Sequence, residues 1–183
     1  MTAPVAAPQK GPRPLLVAPN WWIGVLPRSA WKKKKIFYIY EADFLGGSLV
    51  GAGNQVGVEV DVPVQADSDF LCMGINALVT TNANPPGIIW GSGFTNNALS
   101  NLLIRVRDVG AGRDLFAPSP LSGSFPPLDN VAGSGPFPSP LAIPYLFTAA
   151  GTIATTLFAD SSGTTAKQVR VSFWGVRIYQ ANE

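Results

Sequence analysis

The stretch Gln55-Val56-Gly57-Val58-Glu59-Val60-Asp61-Val62-Pro63-Val64 decides how the chain is read. Valine fills every second position from 56 to 64, and Gly57, Glu59, Asp61 and Pro63 fill the positions between. A strand sends alternate side chains to opposite faces. This period of two therefore sets an apolar row on a core and a polar row in water, which a helix of period 3.6 cannot do. Pro63 has no N–H for a ladder and predicts an edge or a strand end.

Working outward, the same signal recurs. Ile36 to Phe44 is rich in aromatic and β-branched residues and is closed by Gly46-Gly47. Asp69 to Thr80 is mostly apolar with Gly74 inside it, the pattern of a strand buried on both faces with a bulge or a close backbone approach at the glycine. Leu102 to Val109 sets Leu102, Ile104 and Val106 against Leu103, Arg105 and Arg107. Gly151 to Asp160 is strand-like and runs into a turn at Ser161-Ser162-Gly163. Gln168 to Tyr179 carries Val169, Val171 and Phe173 on one face and Trp174, Val176 and Ile178 on the other, with Gly175 a bulge candidate. Six or more short strands between Gly, Pro and Asn turns, with no run of helical period, predict an all-β fold, an antiparallel β-sandwich or jelly roll.

Two segments depart from the pattern. Residues 1–30 are dominated by Ala, Pro and Gly and read as an extended N-terminal arm ahead of a sandwich domain over 31–183. Leu15, Leu16, Trp21, Trp22 and Ile23 are too apolar to be left in solvent, so the tryptophan pair is expected to dock on the chain's own core or on a neighbouring subunit. Ala117 to Pro144 holds eight prolines, with Gly123, Gly133 and Gly135 among them. Neither a helix nor a central strand is expected at that density, and the segment reads as a long Pro/Gly-rich loop over 117–140.

With 183 residues the chain suits one core without disulfide or metal staples. Charged residues make up 13%, against roughly 25% in an ordinary domain, while hydrophobic residues make up 46%. That balance fits a protein whose faces are covered by neighbours, or a large sandwich core under a Ser/Thr/Asn coat. A net charge of +2 is too mild to imply nucleic acid through bulk electrostatics. No apolar run is long enough to span a bilayer and the N-terminus lacks the apolar core of a signal peptide, so a membrane partner is not expected and a chain made in a cytoplasm is.

Catalytic chemistry finds little to work with. The sequence has no histidine, which removes imidazole bases, Ser-His-Asp systems and His-containing metal sites. The single cysteine, Cys72, excludes an internal disulfide and a cysteine zinc site, and its setting in Phe70-Leu71-Cys72-Met73 makes it a buried small hydrophobe. Carboxylate pairs of the glycosidase kind would have to come from Glu59/Asp61 or Asp67/Asp69, and both have simpler readings as a wet strand face and a turn. Asp108, Asp114 and Asp129 are loop-type carboxylates open to a hard cation but without a calcium motif. Lys32 to Lys35 could bind phosphates with Trp31, Phe37 or Tyr38 stacking on bases, but the favoured reading is a solvated gatekeeper beside the apolar strand that follows. The chain is therefore read as a non-enzyme with no cofactor and no metal.

The order Pro140-Leu141-Ala142-Ile143-Pro144 leading to Phe147, then Gly151-Thr152-Ile153, Ser161-Ser162-Gly163 and Val171-Ser172-Phe173-Trp174-Gly175-Val176-Arg177-Ile178-Tyr179, resembles the endings of small β-sandwich virion structural proteins of tailed bacteriophages. Leu103-Ile104-Arg105-Val106-Arg107-Asp108, continued by Gly112-Arg113-Asp114-Leu115, is similar to a middle stretch of the same proteins. The likeness covers about residues 60–179 and carries no catalytic residue. It implies a capsid decoration (cement) or neck (collar) component located in the virion. Its partners would be further copies of itself, as a ring or trimer, and other virion proteins such as the major capsid or neck proteins. The contacts would come from Leu15, Leu16, Trp21, Trp22 and Ile23 in the arm and from Phe125 and Phe137 in the loop. The competing readings are a tail or fibre adsorption module and a carbohydrate-binding jelly roll that stacks sugars on Trp31, Trp90 or Trp174.

Overall fold

The structure is a computed structural model and describes Leu26, Ala30 and residues 33–44, 57–80, 102–118, 120, 123–134, 138–159 and 168–180. The chain divides into two units, Met1–Trp31 and Lys32–Glu183. Of the first, Leu26 and Ala30 are described and both are buried.

In the second unit the described strands are β1 (Lys35–Phe44), β2 (Val58–Pro63), β3 (Ser68–Thr80), β4 (Leu102–Asp108), β5 (Arg113–Asp114), β6 (Gly133–Ser134), β7 (Ser139–Phe147), β8 (Thr152–Ala159) and β9 (Gln168–Tyr179). One helical turn, α1 (Leu128–Val131), precedes β6. The pairing is nested. β1 pairs with β9, β2 with β8, β3 with β7 and β4 with β5, all antiparallel. Such a chain is one long hairpin. Two further antiparallel pairings, β3 with β9 and β4 with β8, roll that hairpin into a five-stranded sheet (β1-β9-β3, with β6 and β7 both on the far side of β3) and a four-stranded sheet (β2-β8-β4-β5). This is a jelly-roll sandwich, the all-β architecture expected from the succession of short strands.

From Val58 onward the valine stretch behaves as read, while Gln55 and Val56 lie outside the described residues. Val62 and Val64 are buried and Val58 and Val60 pack against the same core, while Glu59, Asp61 and Pro63 face out. Pro63 is both the last residue of β2 and on an edge strand. Between the sheets the core is built on four fully buried phenylalanines, Phe44, Phe70, Phe147 and Phe173, facing Leu102, Ile104, Ile153 and Leu157 from the other sheet. Losing one such ring costs about 3–5 kcal/mol. β3 is buried on both faces, since Phe70, Leu71 and Cys72 are all inaccessible although alternate residues point opposite ways.

Two expectations need correction. Gly175 is not in a bulge. The register slips between Cys72 and Gly74 of β3, so the extra residue is Met73, and Gly175 stands opposite Cys72 in an unbroken β9. Gly74 has its own reason to be glycine, because a Cβ there would lie 2.9 Å from the Ser139 carbonyl oxygen. The Pro-rich segment is not structureless either. Residues 128–135 form a proline-free window in which α1 fits. Pro127 just ahead of it is extended (φ −58°, ψ 143°), as a residue flanking a helix start is, and Leu128 is fully buried in the core. Pro126 and Pro127 lie along β4: the Ile104 N–H donates to the Pro126 carbonyl at 3.0 Å, and Leu103 and Pro127 form an antiparallel bridge. β7 carries Pro140 and Pro144, which an edge strand tolerates.

Candidate assembly interface

Among the described residues no strand pairs with the outer side of β1, a strand of ten residues. The Tyr179 N–H donates to the Lys34 carbonyl at 3.1 Å, and residues 34 and 179 stand directly opposite in the β1–β9 register. In an antiparallel ladder bonded pairs alternate with unbonded ones. Even-numbered residues of β1 therefore bond to β9, whereas Phe37, Ile39, Glu41 and Asp43 turn their N–H and C=O groups toward the open edge. The same residues send their side chains to the face away from the core, because Tyr40, Ala42 and Phe44 are the core residues. Phe37 is 56% exposed and Ile36 40%, large apolar groups left on an edge.

Phe37 meets Trp174 of β9 edge to face at 5.7 Å, and the indole N–H of Trp174 is buried with no hydrogen-bond partner among the described residues. Further along the same face Arg170 forks onto Asp43 (Nε to Oδ1 2.5 Å, Nη2 to Oδ2 2.7 Å) and reaches Glu41 at 3.3 Å. Glu41 and Asp43 keep 44% and 39% of their side-chain area exposed, so this acidic end of β1 is only partly neutralised.

The start of β1 is basic and sits on an aromatic stack. Lys34 Nζ lies over the Tyr179 ring at 5.3 Å, and the Arg177 guanidinium is held between Tyr38 and Tyr179 at 5.0 and 4.9 Å. Arg177 is itself buried. Its Nε donates to Ser68 Oγ at 2.8 Å and its Nη2 to Asp67 Oδ1 at 2.6 Å. Desolvation opposes ionisation of Asp67, but hydrogen bonds from Ser68 and Arg177 together with the guanidinium charge hold its carboxyl below the ordinary value. The lysine run thus borders an ordered cation–aromatic stack, and Lys32 and Trp31 lie outside the described residues.

Most of the carboxylates singled out from the sequence are engaged by the protein, while Asp61 is exposed on β2. Glu59 accepts from Thr156 Oγ1 at 2.9 Å, and Asp69 accepts from the Ala149 N–H at 2.9 Å. Asp108 accepts from the Ala111 N–H at 3.1 Å, closing its turn, and from Tyr145 Oη at 3.0 Å. Asp114 takes a two-pronged bond from Arg105 at 2.8 and 3.1 Å, and Asp129 sits exposed in α1. Asp108, Asp114 and Asp129 are not brought together: among the described residues no three potential ligands cluster. Cys72 is buried, and loss of solvation pushes its thiol up to about 12.

Of the residues expected to contact neighbours, Phe125 is described. It is half-buried, stacked on Phe158 at 5.5 Å with the Arg105 guanidinium 5.3 Å from its ring. Leu15, Leu16, Trp21, Trp22, Ile23 and Phe137 lie outside the described residues, as does Trp90. The β1 edge was missed as a site because its residues read simply as a strand. The visible signal was the order of charge along it, lysines before and carboxylates at the end. Among the described residues no helix is long and apolar enough to cross a membrane. No family model matches this chain, and no curated protein matches it. The fold alone thus defines the class, a jelly-roll β-sandwich.

Proposed function

We propose that this protein is a structural component of a bacteriophage particle, a capsid decoration or neck protein that works through contacts with its own copies and with other virion proteins. The observation that carries the reading is the β1 edge, ten residues long and free of proline, with Phe37 and Ile36 exposed beside it. A freely diffusing sandwich normally shortens such an edge, twists it away or interrupts it with proline. The rest of the chemistry agrees with a passive role, since there is no histidine and Glu59, Asp69, Asp108 and Asp114 serve hydrogen bonds and ion pairs. Jelly rolls serve both viral shells and lectins, so the architecture by itself does not choose. The sugar-stacking alternative draws less support from Trp174, which is half-buried against Phe37.

The test is location. Antibody raised against the purified chain is applied to intact particles from a culture infected by the phage that encodes it, and bound gold is imaged. Label on the head surface or at the neck supports the proposal. Particles that lack the protein by labelling and by mass spectrometry would refute it.

A further inference from the structure

We propose that β1 is a self-complementary edge through which two copies of this chain pair antiparallel about a two-fold axis, with Lys35 of one copy facing Glu41 of the other. The inference rests on the reading of the protein as an assembly component, and it names both the partner and the surface.

The edges of the sandwich are unequal. On the far side of β3 the five-stranded sheet ends in β7, interrupted by Pro140 and Pro144, and in the two-residue β6. On the same flank the four-stranded sheet is closed along β4 by β5 and by Pro126-Pro127. β2 is the opposite edge of that sheet, but it is six residues long, ends in Pro63 and carries only acids, Glu59 and Asp61, on its exposed face. Two copies pairing through β2 would set like charges together. Among the described edge strands β1 alone is long, without proline and charged with both signs.

The charges of β1 are ordered along the strand. Lys33, Lys34 and Lys35 stand at its start and Glu41 and Asp43 near its end. A parallel neighbour would set lysine on lysine, while an antiparallel copy sets the basic end of each strand on the acidic end of the other. The open ladder then selects among registers. Residues 37, 39, 41 and 43 present the free N–H and C=O groups, so odd positions must pair with odd ones. With the two-fold axis between the Tyr38 residues, Lys35 faces Glu41 of the second copy, Phe37 faces Ile39, and Lys33 approaches Asp43. Every one of these pairs occurs twice, as an isologous contact requires. All lie on the face that turns away from the core, where Phe37 is exposed and Glu41 is incompletely neutralised by Arg170.

The experiment uses the full chain and a charge exchange. Lys35→Glu alone would set two acids opposite each other in the dimer, and Glu41→Lys alone would set two lysines opposite each other. Each variant, checked as folded by circular dichroism, is expected to dimerise roughly tenfold more weakly than wild type in sedimentation equilibrium, because two like-charge cross-strand contacts are created per dimer. Mixing the two variants places glutamate against lysine at both contacts, so a heterodimer with wild-type affinity should form. Variants that dimerise as tightly as wild type, or a mixture that does not recover, would overturn the β1 pairing. Rescue of Lys35→Glu by Asp43→Lys instead of Glu41→Lys would overturn the register. In the first two of these cases a wild-type chain still found on particles leaves the assembly reading intact. Absence from particles is what removes that reading.

Discussion

Gly175 of β9 backs directly onto the carbonyl oxygen of Leu71 in β3, leaving no room for a side-chain carbon between the two strands. The Phe70 ring closes the same space from the side, with its Cε2 2.8 Å from where a Cβ would stand. Both neighbours belong to the buried centre of the five-stranded sheet, so neither can retreat into solvent. Gly175→Ala should destabilise the sandwich by about 3 kcal/mol or more, in the range of core overpacking. Urea unfolding measures it, and a loss below about 0.5 kcal/mol would show that the strands part easily here.

The alternation along β1 predicts an exchange pattern. Amides of Tyr38, Tyr40 and Ala42 donate to β9 and should exchange slowly, whereas those of Phe37, Ile39, Glu41 and Asp43 should exchange fast in the monomer. Raising the protein concentration should slow the second set and leave the first unchanged. Hydrogen exchange resolved by residue separates this from an edge that stays open at every concentration.

Cys72 and two tyrosines set an alkaline limit. Burial raises the Cys72 thiol from its ordinary 9.0 to about 12, and burial also raises Tyr40 and Tyr145 above 10.0. A group whose folded value is raised keeps its full stabilising contribution below its unfolded value and loses it as pH climbs through the folded one. The fold should therefore weaken from about pH 9 upward. At neutral pH a thiol reagent should modify Cys72 only as fast as the protein unfolds. Rapid labelling of the native chain would contradict that burial.

Arg177 should resist replacement. Its fork bonds Ser68 and Asp67 while its plane lies between two tyrosine rings. Arg177→Lys keeps the charge but loses the fork and the stacking, an expected cost of about 2 kcal/mol in denaturant unfolding. Asp67 adds an acid limb. Its folded value lies below the ordinary 3.8, so its stabilising effect is present above that pH and fades as pH falls through the folded value. The stability difference between wild type and Asp67→Asn should shrink along that acid limb.

Much of this fold was legible because its strands alternate cleanly. Val58 to Val64 and Leu102 to Val106 each turn one apolar row inward, and the period alone assigns those inward faces. The bulge at Met73 was half legible: Gly74 announced a close approach, but Gly175, which looked equally suited, is required by the Leu71 carbonyl across the ladder, a contact between residues far apart in sequence. The turn at Leu128 was hidden by its prolines, since composition over 117–144 masks a proline-free window only eight residues long. Only the order of charge along β1 was legible, not its open edge, because which strand lies outermost is a property of the rolled hairpin and not of any segment. Phe125 read as a free aromatic for the same reason: Phe158, its stacking partner, lies 33 positions further along the chain.

That two copies of this jelly roll pair through β1 is tested most directly by the mass of the intact wild-type chain in solution, followed by light scattering across a wide range of concentration. A mass that rises from 19.3 kDa toward an even multiple of it, and falls back for Lys35→Glu, is the predicted result. A mass fixed at 19.3 kDa at every concentration would contradict it.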